Sequence, residues 1–216
     1  VIPNGIDLKQ IRNIVRSSPP STQRWGHIIS VSSLVPQKGI DYNLRALASL
    51  NKQGLSNWRY TVVGGGPERN RLMRLARALG IADRVTFVGA LSHENAIRAV
   101  ARADIFSLPS WQESFGVVYL EAMACGKPVI GCRGQGAEDI IIHGKTGLLV
   151  EPKAVEPLAA AIKQLLLNQS WAKQLGEQAA QHVQQFTWDR NVRAYLELYQ
   201  QVLRKTGKAD HSGRLL

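Results

Sequence analysis

Two glutamates, Glu113 and Glu121, stand eight positions apart in WQESFGVVYLEAMACGKPVIG (111–131), the first in a polar, loop-like stretch and the second among apolar residues. A carboxylate repels phosphate but accepts hydrogen bonds on both oxygens, so this pair suits neighbouring hydroxyls on a sugar ring. If a helix opens near Phe115, the N–H groups of Phe115, Gly116 and Val117 lack intrahelical partners and are free to hold a phosphate or a hydroxyl. Glu113 then lies just before that end and Glu121 about a turn and a half inside. Lys38, in SLVPQKG (33–39), is expected at the start of another helix. The GGG run at 64–66 lets backbone approach a ligand without a Cβ in the way. RGQGAED (133–139) is a fourth loop of the same kind, with Arg133 as a further cation. Singly, each glutamate reads at least as well as a surface acid, and each glycine as a turn residue. Together they describe a crevice lined by backbone N–H groups and one ammonium, flanked by two hydroxyl acceptors.

Several other chemistries fail on spacing. A dinucleotide fingerprint starting at Gly64 needs glycine at 69, where Arg69 stands, and a P-loop ending at GKT (144–146) needs glycine at 139, where Asp139 stands. His93-Glu94 has no second histidine at zincin spacing, and no G-x-S-x-G elbow occurs. Cys125 and Cys132 form no CxxC pair and have no histidine cluster, so they read as small apolar core residues in a reducing cytoplasm, with no metal expected.

The elements that must position these residues alternate. Strand patterns at 27–34, 58–66, 84–89, 104–110, 128–132 and 146–152 are separated by helical patterns at 38–54, 67–80, 92–103, the stretch after Phe115, and a short one at 137–142. Such alternation predicts a parallel sheet with helices on both faces, an α/β Rossmann-like architecture whose strand-end loops share one edge. After 152 the pattern is wholly helical. The segment 1–25 reads as a linker, 26–187 as one domain, 188–205 as a final helix and 206–216 as a loose polar tail.

Hydrophobic content of 44% and charged content of 20% are ordinary for a globular chain of 216 residues. No run of about 18 apolar residues suggests a membrane span. VIPNGIDLKQ has neither a basic nor an apolar leader region, and the absent initial Met fits a fragment or a processed chain. The formal net charge of +11 favours anionic partners such as phosphate-bearing small molecules or acidic lipid surfaces. The arginines at 69, 71, 74 and 77 read as a solvated helix face. No interleaving of aromatic and basic residues speaks for nucleic acid.

ESFGVVYLEAMACGKPVIG resembles the E-x7-E signature of the retaining GT-B glycosyltransferases of the group 1 type, also called family 4. SSLVPQKG, VVGGGPERNRL, VTFVGALSHEN, ADIFSLPS and GQGAEDIIIHGKTGLLVEP match that family's other blocks in order and spacing. VIPNGID is similar to its interdomain segment, and FTWDRNVRAYLELYQQVL to the final helix that crosses back towards the first domain. The resemblance covers nearly all of residues 1 to 205.

It implies the C-terminal, donor-binding half of such an enzyme, without the N-terminal acceptor domain and inactive alone. A hexose-type unit would pass from a UDP- or GDP-sugar to an acceptor with retention and without a metal or other cofactor. By the same resemblance Glu113 contacts the transferred sugar, Glu121 the ribose, and Lys38 neutralises the diphosphate. Backbone around Phe115, Gly116 and Val117 faces the sugar and diphosphate, with Ser33, Gly65 and Gly66 in the donor site. The family's usual Gly-Arg before the Leu of the first block is Ser32-Ser33 here, one cation fewer. Two alternatives stay open: a nucleotide-sugar epimerase of the same fold, and a catalytically degenerate nucleotide-sugar-binding subunit. A cytoplasmic site, peripheral to the membrane if the acceptor is lipid-linked, completes the expectation.

Overall fold

The computed structural model describes residues 2–18 and 25–205. Six strands, β1 (His27–Val31), β2 (Arg59–Val63), β3 (Val85–Gly89), β4 (Ile105–Ser107), β5 (Val129–Cys132) and β6 (Gly147–Val150), form one sheet in the order β3-β2-β1-β4-β5-β6. Every neighbouring pair is parallel, with Ile28 facing Tyr60 on one side and Ile105 on the other. The central strands are apolar on both faces: Ile28, Ile29, Ile105, Phe106, Val129 and Ile130 are fully buried. That is what a parallel sheet between two helical layers requires.

From β1 to β3 the chain steps one way, and from β3 through β4 to β6 it steps back the other way. Right-handed crossovers therefore put α2 (Ile40–Lys52) and α3 (Arg69–Ala78) on one face, and α4 (His93–Arg102) and α5 (Val117–Ala124) on the opposite one. Helix α6 (Val155–Leu167) packs on α2, and α7 (Gln169–His182) on α5 and α6. Helix α8 (Trp188–Lys205) leaves Trp188, Val192, Tyr195, Leu196 and Tyr199 exposed. None of the helices among the described residues is long and apolar enough to cross a membrane.

Three local differences from the sequence reading have physical causes. Residues 8–17, read as part of a linker, form α1 (Leu8–Ser17), capped by Asp7, whose Oδ1 accepts from Gln10 N at 2.8 Å. Leu8, Ile11 and Ile14 bury one face of it against α4 and α5, a 3.6-residue periodicity that the leading VIPNG obscures. The stretch 137–142 is not a helix but a 3₁₀ turn, Gly136–Asp139. Beyond it the chain closes on Thr146, whose Oγ1 accepts from Ile142 N at 2.9 Å, so an α-ladder cannot propagate. The strands also end earlier than their apolar runs, β1 at Val31 and β2 at Val63, because left-handed Gly64 (φ +136°) turns the chain. The tail at 206–216 lies outside the described residues.

A buried polar knot fastens α2 to the sheet. Asn43 donates from Nδ2 to Tyr60 Oη (3.0 Å), Ser107 O (3.0 Å) and Ser30 Oγ (3.2 Å), and its Oδ1 accepts from Ser107 Oγ at 2.7 Å. Ser30 Oγ also meets Tyr60 Oη at 2.6 Å and the carbonyl of Ser107. Asn43, Ser30 and Ser107 are wholly buried, so removing the amide strands several groups without water. Asn43→Leu is expected to lower the unfolding free energy by about 3 kcal/mol, read as a lower denaturant midpoint at unchanged slope. A change below about 0.5 kcal/mol would show that the knot does not hold α2 in place.

Candidate functional site

The reversal of strand order falls between β1 and β4, and there the loops leaving two neighbouring strands diverge to opposite faces of the sheet. Open α/β sheets bind ligands in the gap this creates. A crevice of about 430 Å³ lies there, lined from β1 by Ser32, Ser33 and Lys38 and from β4 by Glu113 and residues 114–118.

The loop after β1 carries Lys38 as the last residue of a 3₁₀ turn, Pro36–Lys38, and not, as the sequence suggested, as the first residue of α2. Gly39 (φ +68°) separates the two, and a Cβ there would strike the carbonyl of Pro109. The two loops thus lie backbone against backbone, and Trp111 N donates to Gln37 O at 3.0 Å across them. As a result Lys38 Nζ donates to Glu113 Oε2 at 2.7 Å, with the side chains only 21% and 13% exposed. Among the described residues Lys38 is the only cation lining the crevice.

Glu113 is held from the far side as well. Its carbonyl accepts from Gly136 N at 2.8 Å and its N–H donates to Gln135 Oε1 at 3.3 Å. A Cβ at Gly136 would sit 2.5 Å from Phe115 N and Cα, so only glycine lets the loop after β5 come this near. Helix α5 begins at Val117, two residues later than its sequence suggested, behind left-handed Gly116 (φ +89°). A Cβ at Gly116 would run 2.5 Å from the Tyr119 ring. That ring is buried edge-on to Phe106 at 5.7 Å and donates its hydroxyl to Leu108 O. The start of α5 is therefore anchored to β4, and its first two residues, Val117 and Val118, line the crevice together with Lys38. The N–H groups of a helix's first turn lack acceptors one turn back and carry the positive end of its dipole.

The family model for glycosyl transferases group 1 matches residues 14–182. The chain belongs to this family. A GDP-mannose-dependent alpha-(1-6)-phosphatidylinositol monomannoside mannosyltransferase of Mycobacterium tuberculosis is 33% identical over 201 residues, covering 87% of this chain and 52% of that protein. Among solved structures, sucrose-phosphate synthase from Thermosynechococcus elongatus superposes with a TM-score of 0.80 at 32% identity, over 94% of this chain and 52% of that one. HepE from Anabaena, solved in complex with UDP, superposes with a TM-score of 0.78 at 26% identity, over 92% of this chain and 56% of that one. The chain thus spans about half the length of the relatives it matches, and its sheet and helices are the C-terminal domain of a GT-B glycosyltransferase.

In this group 1 glycosyltransferase domain the structure brings together most, but not all, of the residues singled out in the sequence. Ser33, Lys38, Glu113, Phe115, Gly116 and Val117 line one crevice. Gly65 and Gly66 are not in its lining but pack on Leu34 in the loop after β1: Gly65 O accepts from Leu34 N at 2.8 Å, and a Cβ at Gly66 would be 2.5 Å from Leu34 O. Glu121 also lies outside the lining, one turn along α5 from Val117, with Oε1 2.7 Å from Nε2 of His93. Nothing in the sequence spacing linked His93 to Glu121, since the contact joins the first residue of α4 to the flank of α5.

Arg133 does not reach the crevice. Its guanidinium turns instead to Glu151 (3.5 Å) and Glu138 (4.0 Å). Among the described residues no hydrogen-bond partner reaches Ser32 Oγ, which is buried at the crevice. Among the described residues no three His, Cys, Asp or Glu side chains converge as ion ligands. The two cysteines are unpaired and buried, and burial pushes both thiols up to about 12, which makes them poor nucleophiles.

Proposed function

We propose that this domain binds the donor of a retaining glycosyltransferase that moves a hexose-type unit from a UDP- or GDP-sugar to an acceptor held by a second, N-terminal domain. The observation that carries the reading is the meeting of Lys38, Glu113 and the start of α5 in one crevice at the strand-order reversal. Binding of UDP by the Anabaena relative and use of GDP-mannose by the mycobacterial one support a nucleoside diphosphate in that place.

The chemistry follows from what each group can do. Breaking the bond between the anomeric carbon and the diphosphate leaves negative charge on the departing phosphate. A preset ammonium and a helix N-terminus stabilise that charge as it develops. Lys38 has three N–H donors, so it can keep Glu113 and still serve a phosphate oxygen. Glu113 cannot serve phosphate, being anionic, and its second oxygen is available to the hydroxyls of the transferred sugar. Glu121 is placed a turn further on for the ribose. With the charge met by Lys38 and backbone N–H groups, the reaction needs no divalent ion. Turnover requires the second domain to bring the acceptor over the crevice, so this chain is inactive alone. A net charge of +11 suits a cytoplasmic enzyme working at an anionic membrane surface on a lipid-linked acceptor.

Ser33 is where a degenerate, binding-only subunit stays in contention. Its side chain is exposed at the crevice and carries no charge. Ser33→Arg is expected to raise affinity for the cognate nucleotide sugar about tenfold, the effect of one added hydrogen bond to a charged group. Titration calorimetry against UDP- and GDP-sugars reads this directly. No gain would favour the binding-only reading. Release of an epimerised sugar from the donor alone, by the protein with both domains, would favour an epimerase.

A further inference from the structure

Glu121 lies on the flank of α5 with its carboxylate only 18% exposed, while the imidazole that holds it, His93, is 54% exposed. An ionised carboxylate has no proton to give, so Nε2 of His93 carries the hydrogen of the 2.7 Å bond. His93 is itself well placed. It opens α4 immediately after Ser92, whose hydroxyl accepts from Asn95 N at 3.4 Å and caps the helix. The adjacent acid, Glu94, is turned to Arg98 at 2.6 Å. One oxygen of Glu121 is therefore occupied and the carboxylate plane is set by a neighbour on a different element. An unheld glutamate on a helix flank would sample several rotamers.

We infer that His93 is a positioning residue of the ribose subsite: it holds Oε1 of Glu121 so that Oε2 is presented to a ribose hydroxyl. This role rests on the donor-site reading above and adds a residue to it. Its consequence is selective. Loss of His93 weakens recognition of the ribose hydroxyls and leaves the phosphate contacts of Lys38 and α5 as they are.

The test is titration of the 216-residue chain with UDP and GDP, each beside its 2′,3′-dideoxy form, for the unaltered protein, His93→Ala, His93→Gln and Glu121→Ala. His93→Ala is expected to weaken binding of the ribonucleotide about tenfold and that of the dideoxynucleotide by less than about twofold. His93→Gln, whose amide nitrogen can take the place of Nε2, recovers most of the loss. Equal weakening of both nucleotide forms, no recovery in His93→Gln, or unchanged affinity in His93→Ala overturns the role of His93. If Glu121→Ala still loses the ribonucleotide in that case, the donor site stands without it. No binding of either nucleotide by the unaltered chain, or indifference to Glu121→Ala, overturns the ribose subsite and the inference together.

Discussion

Lys38→Ala is expected to reduce affinity for the cognate nucleotide sugar about 100-fold or more while leaving the fold intact. Two losses add. A hydrogen bond between an ammonium and phosphate contributes roughly 1.5–3 kcal/mol, or about one to two orders of magnitude in affinity. Removing Lys38 also leaves Glu113, 13% exposed, as an unpaired anion beside the place proposed for the diphosphate. The Lys38 side chain is itself partly exposed, and among the described residues its side-chain partner is Glu113, so the melting temperature should change little. Glu121→Ala is expected to weaken binding in the same direction but less, since it removes hydroxyl recognition and leaves the phosphate contacts. Calorimetric titration that finds unchanged affinity in both variants would falsify the site assignment.

Gly64→Ala, the addition of a single methyl group, is expected to destabilise the domain severely. Gly64 adopts φ +136°, where an L side chain is strained, and its Cβ would overlap the carbonyl oxygen of Ser32 and lie 2.9 Å from that carbonyl's carbon. The backbone on both sides is fixed: Gly64 N donates to Gly89 O at 2.8 Å, and Ser32 N to Val63 O at 3.1 Å. Neither strand end can yield without breaking these bonds. A cost of about 4 kcal/mol or more is expected, together with loss of nucleotide binding as the Ser32–Lys38 loop is displaced. Gly65→Ala is the matched control. It has open space around the added carbon and no left-handed φ, so its stability should stay within about 0.5 kcal/mol of the parent. Equal melting temperatures for the two variants would show that the loops after β1 and β2 do not press on each other as described.

The same pair of glycines shows what kind of information a sequence carries. GGG at 64–66 reads as three equivalent glycines that ease a ligand's approach. In the fold they differ: Gly64 and Gly66 are filled against Ser32 O and Leu34 O, and Gly65 alone faces open space. Which glycine a ligand could approach depends on the loop after β1, about thirty residues away, and no local pattern encodes it. Lys38 is a similar case. Its residue type and its place after the first strand were legible, but its ion pair with Glu113 depends on Gly39 admitting the carbonyl of Pro109. Arg133 had the right residue type in a strand-end loop, yet two carboxylates from its own neighbourhood hold it.

The succession of elements, and the loop at which each chemical group appears, could be read without coordinates. Alternating apolar runs and capped helices impose a parallel α/β sheet, because only that arrangement buries strands apolar on both faces. Once crossovers are right-handed, the ends of β1 and β4 fall on a common edge. Which of those groups meet emerged only in the folded chain. Folding joined Lys38 to Glu113, tied Glu121 to His93, took Arg133 out of the crevice and made a helix of residues 8–17. The physical reason is that helix and strand periodicities are set by neighbours a few positions apart. A side chain's partner across the sheet edge is set instead by how closely two backbones approach, and here glycines at 39, 64 and 136 control that distance.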